Sequence, residues 1–267
     1  MLDFNQSPII MGILNVTPDS FSDGGKFFDK QRAIDHALQM VEAGADIIDI
    51  GGESTRPGAE EVCLSEELGR VLPVIEGIRA DSNALISIDT YKSRVAKESI
   101  EAGANIINDI SGTVFDQKMK EVIEEKKCPV ILMHIKGTPK NMQENPQYDD
   151  LHETVYRFLE ERSVELESLN GGKTIIDPGI GFGKSVSDNL KLLRDVKDFT
   201  FLDKPILIGT SRKSFIGKII ERDVEERIFG SLTTEIYSLL NGADILRVHD
   251  IEKTLQVKKI IGKILAA

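Results

Sequence analysis

Eight short runs rich in Ile and Val recur along the chain, at 8–16, 46–51, 85–90, 105–110, 129–135, 174–177, 205–209 and 245–248. Most lack strict alternation of apolar and polar residues, which is the pattern of parallel strands covered on both faces. Helical spacing fills the gaps between them. In 30–43, Ile34, Ala37, Leu38 and Val41 fall at i, i+3, i+4 and i+7, and Gly44 follows. Glycine at that point suits the left-handed residue that ends a helix. The same device recurs in EAGADIIDI at 42–50, EAGANIIND at 101–109 and NGADILRVHD at 241–250, a weak repeat of helix end, glycine and strand. Eight such units in 267 residues predict an α/β chain folded as a (β/α)8 TIM barrel, one domain over 1–267. A doubly wound open sheet is the alternative, because periodicity does not show closure. No Pro/Ser-rich linker, charge block or low-complexity tract marks a second domain.

Four phrases place polar side chains just after apolar runs: MGILNVTPDSFSDGG at 11–25, DIIDIGGESTRPG at 46–58, IIDPGIGFGK at 175–184 and LIGTSRKSFIG at 207–217. Polar loops after parallel strands are where α/β enzymes assemble their sites, so these phrases predict one composite site at a barrel mouth. The segments 17–29 and 136–149 are too long and polar for simple connectors and read as lids or binding loops. Helices are expected at 225–241 and 251–265. Their apolar stripes (Ile228, Leu232, Ile236, Leu239; Ile251, Leu255, Ile261, Ile264) should mostly face the barrel, with any excess serving a homodimer.

A net charge of −11 argues against nucleic acid or an anionic membrane as partner, since both need a basic field. It leaves room for a small anionic substrate held by a local cation cluster. Cys63 and Cys128 form no CxxC and no zinc spacing, and are expected to stay reduced. The start, MLDFNQSPII, lacks a basic region and a long apolar run, and no segment approaches the ~20 apolar residues of a membrane span. A cytoplasmic protein is expected.

Asp89 ends ISID, Asn108 and Asp109 end IIND, and Asp177 ends IID before Pro178. A strand-end Asp either points into the mouth or caps the next helix, and for Asp89 the helix expected at 91–103 makes capping a direct rival. Asp177 precedes PGIGFGK instead, a rigid turn that suits a ligand group. Two carboxylates with an amide fit a heterocycle that offers adjacent N–H donors; acid–base work by the carboxylate pair is the rival reading. Arg56, Arg212, Lys213 and Arg247 with His249 follow different runs. Alternation in R-V-H sends Arg247 and His249 to one face, and the strand 7–8 end of such barrels often binds phosphate. A solvated surface charge fits Arg212 better than Arg247, which lies inside an apolar run. Asn15 offers an oxygen that suits Mg2+, an ion that takes few protein ligands. His36 reads as structural, His134 as packed and hydrogen-bonded or functional, and His152 as solvent-facing. The chain carries no P-loop signature, no G-x-G-x-x-G after its first run and no nucleophile elbow.

Taken together, GILNVTPDSFSDGG, DIGGESTRPG, SIDT, NDISG, MH-x-KGTP, DPGIGFGK, GTSRKSFIG and RVHD resemble the dihydropteroate synthases, the folate-pathway family inhibited by sulfonamides, from about residue 9 to 250. The resemblance implies a transferase that joins 6-hydroxymethyl-7,8-dihydropterin diphosphate to p-aminobenzoate, giving 7,8-dihydropteroate and diphosphate. It implies that Asp89, Asn108, Asp177 and Lys213 hold the pterin and that Met133 packs on its ring. Asn15, Arg247 and His249 would hold the diphosphate, with Mg2+ on Asn15. Thr55, Arg56, Pro57, Phe182, Lys213 and Ser214 would shape the p-aminobenzoate side, and Phe21 and Asp23 would belong to a closing lid. Asp89, Lys213, Arg247 and His249 would be the catalytic set. The family also suggests a homodimer. Two rivals share the pterin grip: a methyltransferase barrel acting on a methylated folate, and a silent paralogue that only binds. STRPG and SRKS count against the first, and the retention of Asn15, Asp89, Lys213 and His249 counts against the second.

Overall fold

The apolar runs form eight parallel strands that close on themselves. A computed structural model describes residues 8–17 and 25–265, the side chains of 25–29 excepted. The elements are β1 (Ile9–Asn15), α1 (Gly25–Ala43), β2 (Ile47–Gly51), α2 (Leu64–Asp81), β3 (Leu85–Asp89), α3 (Ser93–Glu101), β4 (Ile106–Asp109), α4 (Met119–Lys126) and β5 (Val130–Met133). They continue with α5 (Leu151–Asn170), β6 (Thr174–Asp177), α6 (Val186–Arg194), β7 (Leu207–Ile208), α7 (Ser214–Ile220), α8 (Ile228–Leu240), β8 (Ile245–Val248) and α9 (Ile251–Leu265). The sheet runs β6-β5-β4-β3-β2-β1-β8-β7, and a parallel bridge between Ile176 and Ile206 joins its two ends. This is the single-domain barrel expected from the sequence, and the open-sheet alternative falls away. No helix among the described residues is long and apolar enough to cross a membrane.

Each strand shows one face to the helices and one to the barrel axis. Inside, Ile47, Ile106, Ile131, Ile175, Leu207 and Ile245 belong to one small apolar cluster that plugs the barrel. Outside, Ile48, Ile50, Ile86, Ile107, Val130 and Leu246 join the larger core beneath the helices. Gly44, Gly103 and Gly242 have φ of 105°, 117° and 97°, so the repeated glycine turns a helix back into a strand as its spacing predicts.

Two differences from the sequence reading matter. Helix α1 begins at Gly25, inside the segment read as a long loop, and Phe21 and Asp23 lie outside the described residues. The expected 225–241 helix begins at Ile228, and α7 precedes it, so β7 and β8 are joined by two helices. Helix α8 is also turned over relative to expectation. Its buried residues are Ser231, Glu235 and Ser238, whereas Ile228, Leu232, Ile236 and Leu239 are only half-buried. The polar face is drawn inward by hydrogen bonds: Arg212 N–H to Ser231 Oγ at 2.8 Å, Thr234 Oγ1 to Thr210 Oγ1 at 2.9 Å and Thr254 Oγ1 to Glu235 Oε2 at 2.9 Å. In α9, Ile251 is buried and Ile264 is 63% exposed.

Candidate active site

Parity along the strands builds the site. Two residues beyond the apolar plug, the inward positions become Asp49, Ser87, Asn108, Met133, Asp177, Gly209 and Arg247. One layer higher, Asn15, Gly51 and Asp89 are register partners, and Asp89 in turn pairs with Asn108. A Cβ built on Gly51 would lie 3.6 Å from Asp89 Cβ and 3.8 Å from Asn15 Oδ1, so glycine lets those side chains meet over it. On the far wall, Met133 and Asp177 are register partners on β5 and β6.

Arg247 spans the mouth from β8. Its Nε donates to Asp49 Oδ2 at 2.6 Å and its Nη2 to Asp89 Oδ2 at 2.7 Å. Asn108 Nδ2 also donates to Asp49 Oδ2, at 3.1 Å. Three buried oxygens here, Asp49 Oδ1, Ser87 Oγ and Asp89 Oδ1, have no partner among the described residues. Burial pushes the Asp89 carboxyl up to about 7; Arg247 opposes that push and the Asp49 charge adds to it. Asp89 does not cap the next helix: Lys92 sits at the N-cap of α3, and Ser93 N–H is taken by Asp116 Oδ2 at 2.9 Å.

Asp177 accepts Gly179 N–H at 2.7 Å, and burial raises its pKa against the pull of Lys213. Lys213 follows β7, donates to Ile180 O and stands 4.6 Å from the centre of the Phe182 ring. Burial pushes its amine down to about 8, resisted by Asp177 and assisted by Arg247. His249 Nδ1 lies 3.1 Å from Ser211 Oγ, and burial together with the Arg247 and Arg212 charges pushes its imidazole down to about 4. Asn15, Asp89, Asn108, Met133, Asp177, Lys213, Arg247 and His249 thus sit at the strand ends around one mouth.

The remaining candidates lie on its rim. Thr55 is half-buried, Arg56 and Pro57 are exposed, and Arg56 adds to the positive field at His249. Phe182 is half-buried, and Ser214 is exposed as the first residue of α7. Arg212 is not a free surface charge, because it grips Asp250 through two hydrogen bonds of 2.9 Å. His36 lies exposed on α1, and His152, expected to face solvent, is half-buried, stacked on Tyr156 and Phe199. His134 is buried and bonded to Lys184, the packed alternative of the two open for it.

Sequence reasoning passed over Asp49, Lys184 and the pair Glu53–Lys92. Asp49 carried a readable signal: a charge inside IIDIG, two residues before Gly51 and so in phase with the mouth. The Glu53–Lys92 contact, at 2.5 Å, joins residues far apart in the chain and has no local signature.

A family model described as pterin binding enzyme matches residues 11–249. The dihydropteroate synthase of Synechocystis sp. is 46% identical over 264 residues, covering 97% of this chain and 91% of its own. The Yersinia pestis dihydropteroate synthase, solved as a complex with a sulfonamide drug, superposes with a TM-score of 0.93 at 42% identity, covering 100% of this chain and 97% of its own. The Xanthomonas albilineans enzyme, solved with 4-aminobenzoic acid, gives 0.93 at 40% identity, with coverage of 100% and 96%.

Proposed function

We infer the reaction from one premise: the chain belongs to the dihydropteroate synthase family of pterin-binding enzymes, and it is a transferase. It condenses 6-hydroxymethyl-7,8-dihydropterin diphosphate with p-aminobenzoate, forming 7,8-dihydropteroate and releasing diphosphate. The observation that carries this reading is the pairing of Arg247 with Asp49 and Asp89, which leaves Asp89 Oδ1 buried and unpartnered at the mouth.

The pterin presents a 2-amino-4-oxo edge, a guanidine-like pair of donors. Asp177 accepts it, a role supported by its free oxygen: Gly179 occupies Oδ1, and no hydrogen bond among the described residues takes Oδ2. Asn108 and Lys213 serve the remaining polar atoms of the ring, and Met133 packs on its face. A poor aromatic amine nucleophile favours a transition state with cationic character at the methylene carbon. The free oxygen of Asp89 stabilises that charge. Arg247 and His249 receive the negative charge that grows on the departing diphosphate. The rim residues Thr55, Arg56, Pro57, Phe182 and Ser214 orient the amine from the other side. No covalent enzyme intermediate is needed.

The family implies Mg2+. Among the described residues no group of three His, Cys, Asp or Glu is arranged to hold a metal. The donor set nevertheless fits this ion, which keeps most of its waters and draws other ligands from phosphate: the Asn15 amide oxygen, at the mouth beside Asp89, is the residue that would hold it. When bound, the ion supplies positive charge to the leaving diphosphate.

A homodimer is supported by α8, whose inward polar face leaves Phe229 79%, Leu240 54% and Tyr237 43% exposed. A cytoplasmic location is supported by the free thiols of Cys63 and Cys128. The test of the reaction is diphosphate release from the pterin substrate with Mg2+, with and without p-aminobenzoate. Release that depends on the amine and yields dihydropteroate is expected. Tight pterin binding without turnover would overturn the assignment and make Asp89 and Lys213 binding groups only.

A further inference from the structure

Lys184 ends the phrase IIDPGIGFGK, and its side chain is buried, at 2% exposure. Its Nζ lies 2.9 Å from Phe182 O, 3.0 Å from His134 Nδ1 and 3.2 Å from His134 O. All three partners are neutral, and none is a carboxylate. Burying an amine on such terms is costly, and a Met or Leu would fill the same space more cheaply. The cost shows in the amine itself, which burial pushes down to about 7 while Asp177 resists.

The three acceptors belong to two segments that wall the pocket. His134 directly follows Met133 at the end of β5, and Phe182 lies in the loop after β6. The loop is laid tightly on the β5 segment. A Cβ at Gly179 would sit 1.9 Å from His134 O, and one at Gly183 would sit 2.2 Å from Lys136 O. At the same time the loop supplies the site: Gly179 N–H fixes Asp177, Ile180 O holds the Lys213 amine, and the Phe182 ring faces that amine. The Lys184 amine hydrogen-bonds to both of these walls.

We propose that Lys184, acting through His134, is a positioning residue of the pterin pocket, locking the 178–184 loop onto the end of β5 so that Asp177 and Lys213 keep their spacing. The proposal rests on the pterin reading above, and it assigns Lys184 no contact with substrate. In its protonated form Lys184 has three protons for its three acceptors, with His134 protonated on Nε2 and accepting at Nδ1.

The test is calorimetric binding of 6-hydroxymethyl-7,8-dihydropterin diphosphate to the full-length protein, with kcat and both KM values measured alongside. Lys184→Met should weaken pterin binding roughly tenfold, the loss of one to two hydrogen bonds' worth of organisation. His134→Leu, which removes the acceptor ring nitrogen, should weaken it by a smaller factor. His134→Asn places an amide oxygen near the former Nδ1 and should recover most of the loss. A residue that merely filled space would make Leu and Asn at 134 equivalent. Binding by Lys184→Met within twofold of wild type, or identical losses in the two His134 variants, overturns the proposal. If Lys184→Met does not fold, the His134 pair decides alone. Failure of the wild-type protein to bind the pterin diphosphate would overturn the reaction reading and this proposal with it, whereas normal wild-type binding with unaffected variants overturns only the proposal.

Discussion

Arg247 Nη2 and Asp89 Oδ2 meet at 2.7 Å across the barrel mouth, the first from β8 and the second from β3. The same guanidinium holds Asp49 at 2.6 Å, so two buried carboxylates share one positive charge. That ratio has consequences for both catalysis and stability. A full guanidinium contact keeps each carboxylate hydrogen-bonded, yet the cluster is one charge short of neutral. On the proposed reaction, the phosphates of the substrate would compete with both carboxylates for this one guanidinium.

The shared charge predicts a pH profile. Burial, with the Asp49 charge added, pushes Asp89 up to about 7, and an anionic Asp89 is the form that stabilises a cationic transition state. Activity should therefore rise with pH through about 7. Asp49→Asn keeps an oxygen to accept Arg247 Nε and Asn108 Nδ2 but removes the like charge. The acid limb of kcat/KM should move down by roughly half to one pH unit. A limb that stays in place in this variant assigns it to another group.

Arg247→Met predicts a pH-dependent loss of stability. Removing one partner of a buried ion pair leaves uncompensated charge and costs about 3–5 kcal/mol. The folded pKa of Asp89 already lies above its unfolded value and rises further without Arg247. Its contribution to stability is then fully present at pH below about 4 and is lost as pH rises through 7 and beyond. Calorimetric melting at pH 5 and pH 8 checks this: the deficit against wild type should be larger at pH 8. An equal deficit at both values would mean that packing, not charge, sets the cost.

The barrel was legible in the sequence because its signals are local. Ile-rich runs, helical spacing and the glycine after each helix all act within a few residues; closure itself was not legible, because it rests on the pairing of Ile176 with Ile206 across the two ends of the sheet. The strand-end residues Asp89, Asn108, Asp177 and Arg247 were legible for the same reason. What escaped depends on contacts between distant segments. Lys184 reads as an ordinary loop lysine until β5 and the β6 loop are packed together, and Glu53 reads as a loop acid until Lys92 is placed beneath it. Helix α8 misled because its stripe of Ile and Leu has core spacing, while hydrogen bonds through Ser231, Thr234 and Glu235 turn the polar face inward. Asp49 could have been found by phasing β2 from its Ile residues.

Asp177→Asn should cost the pterin about 2–4 kcal/mol of affinity. In the folded protein Gly179 N–H claims one oxygen of Asp177. An asparagine must turn its own oxygen to Gly179, so that its amide nitrogen faces the pterin's N–H donors. Donor then meets donor, and the charge assistance is lost as well. Titration of the pterin diphosphate by calorimetry measures the difference directly, and unchanged affinity would remove Asp177 from the pterin edge.

Lys92→Met should damage the rim loop and the amine substrate together. The Lys92 Nζ bridges Glu53 at 2.5 Å and Glu67 at 2.6 Å, and it also donates to Val62 O at 2.8 Å. Glu53 accepts Val62 N–H at 2.9 Å, so one ion pair ties both ends of the 53–62 loop that carries Thr55, Arg56 and Pro57. With methionine at 92, two acids that are 7% and 1% exposed lose their counter-ion. The stability cost should be about 3–5 kcal/mol, the usual penalty for breaking a buried pair. The kinetic effect should be selective: KM for p-aminobenzoate rises several-fold, while pterin binding, assigned in the proposed function to Asn108, Asp177 and Lys213, changes little. Losing affinity for both substrates equally would show that the network supports Asp89 through its neighbour Thr90, whose hydroxyl bonds Glu67 at 2.7 Å, rather than the rim loop.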